Sequence, residues 1–328
     1  MPVSLDQGHG KSRGRRDDSL AIGIVNNMPD SALEATERQF LRLLNDALPD
    51  SAIRVRLFAI PGVPRGERGR ERIGRIYSGI EELRSSGLDA LIVTGAEPRT
   101  DDLRDEAYWP ALTEIFDWAE RNTLSTLLSC LAAHAAVLHL DGIRRSPLPE
   151  KRFGLFEELR LADHALTRGL PAEVRFPHSR WNDLAAADLD GHGYRLLTGS
   201  DLAGVDLFVK ERKSLFVFLQ GHPEYDADSL QKEYRRDVAR FLKGTRQSYP
   251  VLPSGCFNER ERLELQSFET QARTHRRESM LTELPLPSVS ADRESAWHPD
   301  AAMVYRNWVQ YVMAERAARK IGTLKRAG

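Results

Sequence analysis

Three side chains that lie far apart in the sequence have the types needed for covalent acyl transfer. Cys130 directly follows an apolar run, and His222 and Glu224 follow a second one, at 215–220. A thiolate attacks a carbonyl carbon, an imidazole accepts and returns the proton, and a carboxylate orients the imidazole. The sequence therefore predicts a catalytic triad of Cys130, His222 and Glu224.

The residues on either side of Cys130 predict a sharp turn between a strand and a helix. The strand ends at Ser129, and a helical pattern of small residues, including Ala132 and Ala133, begins directly after the cysteine. A nucleophile elbow has this form, and the dipole and free N–H groups at the helix N-terminus favour a thiolate and then an oxyanion. The alternative is that Cys130 is a small apolar core residue, the commoner fate of a lone cysteine.

The other members of the triad also have simpler interpretations. His222 could be a loop histidine without a task, and Glu224 a charge at a helix terminus. His134 lies one helical turn after Cys130 and is a rival base, although packing or a hydrogen bond to the backbone is the expected role for it. The triad is favoured because all three of its members lie at predicted strand ends.

Composition narrows the class of protein. The chain has 328 residues, 41% of them hydrophobic and 29% charged, and a net charge of −1, which gives no general attraction to nucleic acid or to anionic membranes. No apolar run approaches the length of a membrane span. Two cysteines, Cys130 and Cys256, do not make a disulfide framework, so a cytoplasmic protein is expected, with no catalytic role for Cys256.

Motifs for metals and nucleotides are missing from the sequence. No Cys/His cluster has metal-ligand spacing, and no glycine-rich phosphate-binding motif is present, so neither a metal nor a bound cofactor is predicted. Residues 1–18 are polar and charged and lack the apolar centre of a signal peptide, so a disordered N-terminal lead is predicted there.

Short apolar strands alternate with helical patterns in the first half of the chain. Strands are predicted at 20–26, 53–60 and 88–93 and directly before Cys130. This alternation indicates an α/β fold with a mostly parallel sheet flanked by helices. Because ligands bind at the carboxyl ends of such strands, we expect the turn 94–96 and Cys130 to meet in one crevice. The charged stretch 61–75 is predicted to be an exposed loop.

The second half adds strands outside this pattern. Strands are predicted at 154–159 and 173–176, an extra β-meander at 194–197 and 206–210, and helices at 226–243, 259–271 and 301–321. The last helix is amphipathic. The predicted organisation is an α/β domain at 19–244 and a C-terminal helical extension at 245–328 whose last helix packs on the same domain.

Several motifs carry a family resemblance. They are NNMP at 26–29, TERQFLRLL at 36–44, TGA at 94–96, AYWP at 107–110, SC at 129–130, PHSR at 177–180, GHPEYD at 221–226 and EYRRD at 233–237. Over about residues 20–312 the chain resembles the homoserine O-acyltransferases of the homoserine O-succinyltransferase type. That family is built on the class I glutamine-amidotransferase fold, which is flavodoxin-like.

The resemblance implies a ping-pong transfer from an acyl-coenzyme A to the side-chain hydroxyl of L-homoserine, a step of methionine biosynthesis. Cys130 would carry the acyl group as a thioester, and His222, oriented by Glu224, would handle the proton. The candidates for the oxyanion hole are the backbone N–H groups of Ala96, Glu97 and Leu131. The acyl-coenzyme A is a co-substrate rather than a cofactor, and a homodimer is left open.

Family position also places Lys151, Ser179 and Arg236 in the substrate pocket. Each has a simpler alternative. Ser179 could be a turn serine bonded to nearby backbone, Lys151 a solvated loop lysine, and Arg236 a helix-surface partner of Glu233.

Departures from the family pattern leave the substrates open. The turn 30–35 lacks the usual lysine, Glu97 and Pro98 replace a proline and an aliphatic residue, and segment 248–294 is longer than expected. Arg99 stands where the family has a small or an acidic residue. We expect Arg99 to pair with the free carboxylate of a succinyl group and so favour succinyl-coenzyme A over acetyl-coenzyme A. The alternative is a surface pair with a nearby aspartate.

Other functions remain open on sequence alone. Within the family, the chain could be a homoserine O-acetyltransferase or another amino-acid O-acyltransferase. From other classes, a glutamine amidotransferase-like hydrolase could use the same triad, and a non-catalytic binding protein could keep the fold.

Overall fold

The computed structural model describes residues 3–5, 19–48, 53–288 and 296–327. Its strands are β1 (Ser4–Leu5), β2 (Leu20–Val25), β3 (Ile53–Phe58), β4 (Ala90–Val93), β5 (Ser125–Ser129), β6 (Ser146–Arg160), β7 (Glu173–Asp183), β8 (Arg195–Leu196), β9 (Thr198–Ser200), β10 (Gly204–Val205), β11 (Leu207–Glu211) and β12 (Leu215–Leu219). Its helices are α1 (Asp30–Ala47), α2 (Glu67–Ile76), α3 (Ile80–Ser85), α4 (Trp109–Asn122), α5 (Leu131–Asp141), α6 (Ala186–Gly191), α7 (Ser229–Leu242), α8 (Glu259–Thr274) and α9 (His298–Ala327).

The central sheet has the strand order β1-β3-β2-β4-β5-β12-β11-β8 among the described residues. Strands β1 to β5 and β12 pair with one another in parallel, and β11 and β8 extend the sheet beyond β12 in antiparallel pairing. The α/β prediction is therefore confirmed. The chain leaves β2 towards β3 on one side and returns to β4 on the other, which is the topological switch point where such sheets bind ligands.

Both faces of the central sheet are covered, and for this reason the inner strands are continuous apolar runs. Every residue of β2, β4, β5 and β12 is buried. One face packs against α1 and α9, and the other against α3, α4 and α5. The carboxyl ends of the parallel strands stay uncovered by these helices, and the functional side chains lie there.

A second, antiparallel sheet stands beside the first, in the order β10-β9-β6-β7. The predicted meander divides between the two sheets, because β8 and β11 extend the central sheet whereas β9 and β10 pair with the second one. Strands β6 and β7 are longer than predicted and pair with each other. The ends of both strands contain prolines and charged residues and no alternation of apolar residues, so the sequence did not predict them. Pairing between the two strands stabilises these exposed polar ends.

Two further expectations differ from the structure. Stretch 61–75 was expected to be a loop, but much of it forms α2, whose Arg72 lies 2.5 Å from Glu37 of α1 and 2.9 Å from Glu34. Ion pairs with α1 stabilise this polar helix. A prediction based on the spacing of apolar residues cannot detect a helix that is held in this way. In the predicted disordered lead, residues 4 and 5 pair with β3 as an edge strand, while 1–2 and 6–18 lie outside the described residues.

The C-terminal part packs on the α/β domain. Helix α9 contributes Val304, Tyr305, Trp308 and Val309 to the main core cluster, and Trp308 Nε1 donates to Ser125 Oγ at 2.9 Å. Helices α7 and α8 form a smaller cluster together with Phe153 of β6. The boundary at 244 stays a prediction. None of the described helices is long and apolar enough to cross a membrane.

Candidate active site

Cys130 lies at a strained turn between β5 and α5. Its φ of 52° is the single positive value among the described non-glycine residues, a conformation that L-residues adopt at a cost. Cys130 N donates to Leu219 O of β12 at 2.7 Å, and α5 begins at the next residue. The strand–turn–helix predicted from the sequence is present, and the strain points to a functional rather than a purely packing role for the cysteine.

The turn after β4 lies directly against this elbow. A Cβ atom on Gly95 would come within 2.8 Å of Leu131 Cβ and 3.0 Å of Leu131 N. The first N–H groups of a helix have no acceptor within the helix, so the N–H of Leu131 is available to an anion. Ala96 and Glu97 line the same cavity as Cys130 and Leu131. The three predicted oxyanion residues therefore line the same cavity as Cys130, and their role stays a prediction.

His222 and Glu224 meet Cys130 from the end of β12. His222 Nδ1 lies 2.8 Å from Glu224 Oε1, and the same carboxylate oxygen accepts from Ser129 Oγ at 3.4 Å. With Nδ1 engaged by Glu224, Nε2 is the nitrogen that faces the cysteine. The His222 ring stacks on Tyr225, with centroids 4.3 Å apart, and its backbone N–H donates to Pro177 O at 2.7 Å.

The charge state of His222 follows from its neighbours. Burial lowers the pKa of His222, but the charges of Cys130 and Glu224 and its hydrogen bonds to both outweigh burial, so the pKa rises well above its ordinary value. The shift favours the protonated imidazolium, which is the partner that a nucleophilic cysteine needs.

The rival base is unsuited to the task. His134 Nε2 lies 2.8 Å from Gln220 Oε1, and burial lowers the pKa of His134 to about 3. A histidine with so low a pKa is a weak base. The sequence predicted packing or a hydrogen bond to the backbone for His134, whereas the structure shows a hydrogen bond to the side chain of Gln220.

Lys151 and Ser179 reach the site on the second sheet and bind a shared carboxylate, Glu233 of α7. Ser179 Oγ donates to Glu233 Oε2 at 2.6 Å, Lys151 Nζ lies 3.1 Å from the same atom, and Tyr225 OH donates to Oε1 at 2.6 Å. The side chain of Lys151 is buried, which excludes the solvated-loop alternative. Burial raises the pKa of Glu233, but Lys151 and the two hydroxyl donors outweigh it, so the pKa is lowered and the carboxylate stays charged.

Arg236 lies on the same helix and lines the cavity. Its guanidinium is 3.6 Å from Glu233 and 3.2 Å from Asp237, so the surface pair with Glu233 that was the simpler alternative is present. The side chain is nevertheless 46% exposed and leaves donors free to meet a ligand.

Arg99 does not line the cavity. Its side chain is exposed, and its backbone N–H donates to Glu106. The guanidinium that lines the cavity from that side belongs to Arg145, which the sequence interpretation missed. Arg145 is half-buried, its pKa is lowered by burial, and Cys130 is among the groups whose charge acts on it.

A buried polar cluster lies next to the loop that carries His222 and offers ligand atoms of the kind that bind metals. Ligand atoms of Glu158, His178 and Asp206 lie within 4.8 Å of one another. Protein groups already engage the two carboxyls: Thr198 Oγ1 donates to Glu158 at 2.6 Å, and Gly221 N donates to Asp206. Burial and the Asp206 charge raise the pKa of Glu158, and burial raises that of Asp206. Gly221 directly precedes His222, so its hydrogen bond to Asp206 ties the cluster to the loop that carries His222.

The cavity at these strand ends has a volume of about 260 Å³. Apart from Arg99, every residue predicted for the site lines it. Trp181, Arg240 and Arg246 line it as well and were not predicted. Arg240 lies in a run of mixed charge on α7, and Arg246 lies in the turn after it. Neither position carries a local signal for a cavity, so the sequence offered no way to find the two arginines.

Comparison with known proteins gives a consistent family. A family model described as homoserine O-succinyltransferase matches residues 8–319. The homoserine O-succinyltransferase of Methylorubrum extorquens is 48% identical over 293 residues, which is 89% of this chain and 87% of that protein. The one of Rhodopseudomonas palustris is 46% identical over 316 residues, 96% of this chain and 95% of that protein.

A solved structure shares the fold at low identity. The glutamine amidotransferase of Methylobacillus flagellatus superposes with a TM-score of 0.52 over 90% of this chain and 95% of that chain, at 13% identity. The predicted glutamine-amidotransferase-like fold is confirmed, and the similarity carries no information on the reaction.

Proposed function

Since the chain belongs to the homoserine O-succinyltransferase family, we propose that it transfers the succinyl group of succinyl-coenzyme A to the side-chain hydroxyl of L-homoserine. The observation that carries the mechanism is the hydrogen-bonded series Cys130–His222–Glu224 at a strained turn in the cavity wall. A thiolate, an imidazolium and a set of backbone N–H groups supply every group that acyl transfer needs, so the reaction requires no cofactor.

In the first half-reaction the Cys130 thiolate attacks the thioester carbonyl of succinyl-coenzyme A. The carbonyl π electrons move onto oxygen, and the N–H groups of Ala96, Glu97 and Leu131 receive the oxyanion. When the oxyanion collapses, the bond to the coenzyme A sulfur breaks, and His222 gives that sulfur its proton. Cys130 is left as a succinyl thioester, and His222 is left neutral.

In the second half-reaction neutral His222 accepts the proton of the homoserine hydroxyl as its oxygen attacks the Cys130 thioester. Collapse of the second oxyanion expels the thiolate, which restores the starting ion pair with protonated His222. Glu224 fixes the ring through Nδ1 and stabilises the imidazolium in both halves, as a triad carboxylate does.

Residues on α7 and the second sheet are placed to hold the acceptor. Arg236 has a planar guanidinium with exposed donors, which suits the carboxylate of homoserine. Glu233 is a charged carboxylate held by Lys151 and Ser179, and it suits the acceptor ammonium. We assign these residues to the acceptor because homoserine carries both charges.

The free carboxylate of the succinyl group requires a cation near Cys130, and we assign that role to Arg145 in place of Arg99. Arg145 lines the cavity, and among the described residues it forms no ion pair, although the charges of Glu106 and Asp101 act on it from the neighbouring loop. An acetyl group has no free carboxylate with which this guanidinium could pair. Arg99 is exposed outside the cavity and keeps the role of a surface residue.

Intact-protein mass spectrometry tests the proposed function. Mixing the protein with succinyl-coenzyme A in the absence of an acceptor should add the mass of one succinyl group, and homoserine should then remove it. Cys130→Ala should gain no mass, whereas Cys256→Ala is the matched control and should gain it like the unsubstituted protein. A mass gain on Cys130→Ala contradicts the mechanism, and a gain from acetyl-coenzyme A alone makes the chain an acetyltransferase.

A further inference from the structure

Positive charge exceeds negative charge at one side of the cavity. Two carboxylates, Glu233 and Asp237, face four cationic side chains within 4.0 Å: Lys151, Arg236, Arg240 and Arg246. The local charge is therefore 4 − 2 = +2, in a protein whose formal net charge is −1. A surplus of this kind raises the local concentration of anionic ligands.

The geometry of these pairs leaves donors of both arginines available to a ligand. Within the described part of the chain, Arg246 uses only Nε for a hydrogen bond, to Ser248 O at 2.9 Å. Arg240 and Arg246 are each 3.7 Å from Asp237, longer than a hydrogen bond, so neither guanidinium is committed to the carboxylate. Asp237 is only 6% exposed, whereas Arg240 is 47% exposed. An anion that approaches the cavity therefore meets the guanidinium of Arg240 before it meets Asp237.

An exposed tryptophan stands beside these arginines. Trp181 of β7 is 46% exposed and lines the cavity, and the guanidinium of Arg246 lies 5.8 Å from its ring centroid. An aromatic face next to cations is the combination that nucleotide ligands use, because a base stacks on the ring and phosphates bind the cations.

We propose that Trp181, Arg240 and Arg246, here named the basic rim, bind the nucleotide end of the acyl-coenzyme A. The inference rests on the proposed function, whose donor carries an adenine and several phosphates while its acceptor carries neither. Arg240 lies one helical turn beyond Arg236 on α7, so the rim continues outward from the acceptor residues. The pantetheine arm then spans the distance from the rim to Cys130.

A truncated donor separates this role from catalysis. The succinyl thioester of N-acetylcysteamine keeps the reacting carbonyl and sulfur but has no phosphate and no base. We expect Arg240→Ala and Arg246→Ala each to raise the KM for succinyl-coenzyme A about tenfold, the effect of losing one charge-assisted contact. With the truncated thioester, the KM of both variants should equal that of the unsubstituted protein. Trp181→Leu should likewise raise the KM for succinyl-coenzyme A and leave the KM for the truncated thioester unchanged.

A matched control lies on the same helix. Lys232 is an exposed cation that pairs with Asp228 and does not line the cavity, so Lys232→Ala should leave both KM values unchanged. Equal losses with the two donors, or no loss with either, would overturn the rim assignment. Failure of the unsubstituted protein to form the succinyl adduct on Cys130 with either donor is a separate result, and it overturns the proposed function itself.

Discussion

The residue that decides the chemistry of the site is His222, since its ring forms hydrogen bonds to both Cys130 and Glu224. Cys130 and Glu224 together raise its pKa against the effect of burial. Glu224 in turn is buried, and its Oε2 atom has no hydrogen-bond partner among the described residues. A buried carboxylate in this position is costly unless it faces a positive charge, so Glu224 and protonated His222 stabilise one another.

Replacement of Glu224 by Gln should narrow the pH range over which the ion pair exists. The amide has no charge to stabilise the imidazolium, so His222 should lose its proton at lower pH than in the unsubstituted protein. We expect kcat/KM to fall by about 10²–10⁴-fold, the usual size of a general acid–base contribution.

The rate of alkylation by iodoacetamide measures this effect, with Cys256 in the same molecule as the reference thiol. Rapid labelling of Cys130 at mildly acidic pH requires the imidazolium and should be lost in Glu224→Gln. An unchanged labelling profile would show that Glu224 has no electrostatic influence on the pair.

The choice of acyl group should depend on Arg145. Arg145→Ala should lower kcat/KM for succinyl-coenzyme A about ten- to a hundredfold, which corresponds to about 1.5–3 kcal/mol for a desolvated charge-assisted hydrogen bond. The value for acetyl-coenzyme A should change little. Arg99→Ala is the matched control, and it should leave the ratio of the two donors as it was. If Arg99→Ala changes the ratio and Arg145→Ala does not, the earlier expectation for Arg99 is restored.

Among the secondary elements, the β5–α5 elbow and the β4 turn act as one unit. The chain can bring the turn so close to Leu131 because residue 95 has no side chain. The short distance brings the β4 turn against the first residue of α5, beside Cys130, which a larger residue at position 95 would prevent.

Gly95→Ala should therefore impair catalysis more than folding. The added Cβ would contact the backbone of α5 and force it away, and loss of one oxyanion donor costs about 10²–10³-fold in kcat. Gly74→Ala is the control, because Gly74 lies in α2 with nothing within 4 Å of an added Cβ. That variant should keep full activity and gain a few tenths to about 1 kcal/mol in stability. Equal kcat values for the two variants would contradict the oxyanion assignment.

On the scale of the whole molecule, α9 completes the core from the far end of the chain. Trp308 is fully buried against the face of the central sheet and bonds to Ser125 of β5. The strand that carries Cys130 is therefore held by a helix that follows it by more than 160 residues along the chain.

Truncation of Trp308 should lower the stability of the whole domain. Trp308→Ala should lower the free energy of unfolding by about 3–5 kcal/mol, as for other buried large-to-small changes, measured by urea denaturation. Trp308→Phe keeps most of the packing and loses the indole donor, so it should cost about 1 kcal/mol. Met313 lies on the same helix and is 44% exposed, and Met313→Ala should change little. If Trp308→Ala leaves the unfolding midpoint unchanged, α9 is not part of the cooperative unit.

Features set by local sequence were predictable. Apolar runs bounded by turns gave the parallel strands, and the abrupt change from an apolar strand to small residues at Cys130 gave the elbow, because each depends on neighbours within a few positions. Placing the triad needed only the rule that parallel strands expose their carboxyl ends at one edge.

Features set by contacts between distant segments were decided by the tertiary structure. Arg145 rather than Arg99 lines the cavity, α2 forms where a loop was expected, and the basic rim combines β7 with α7 and the turn after it. A charged side chain has the same local sequence signal whether it faces solvent, a buried carboxylate or a ligand. Its partner, and therefore its role, exists only once the fold has brought the two segments together.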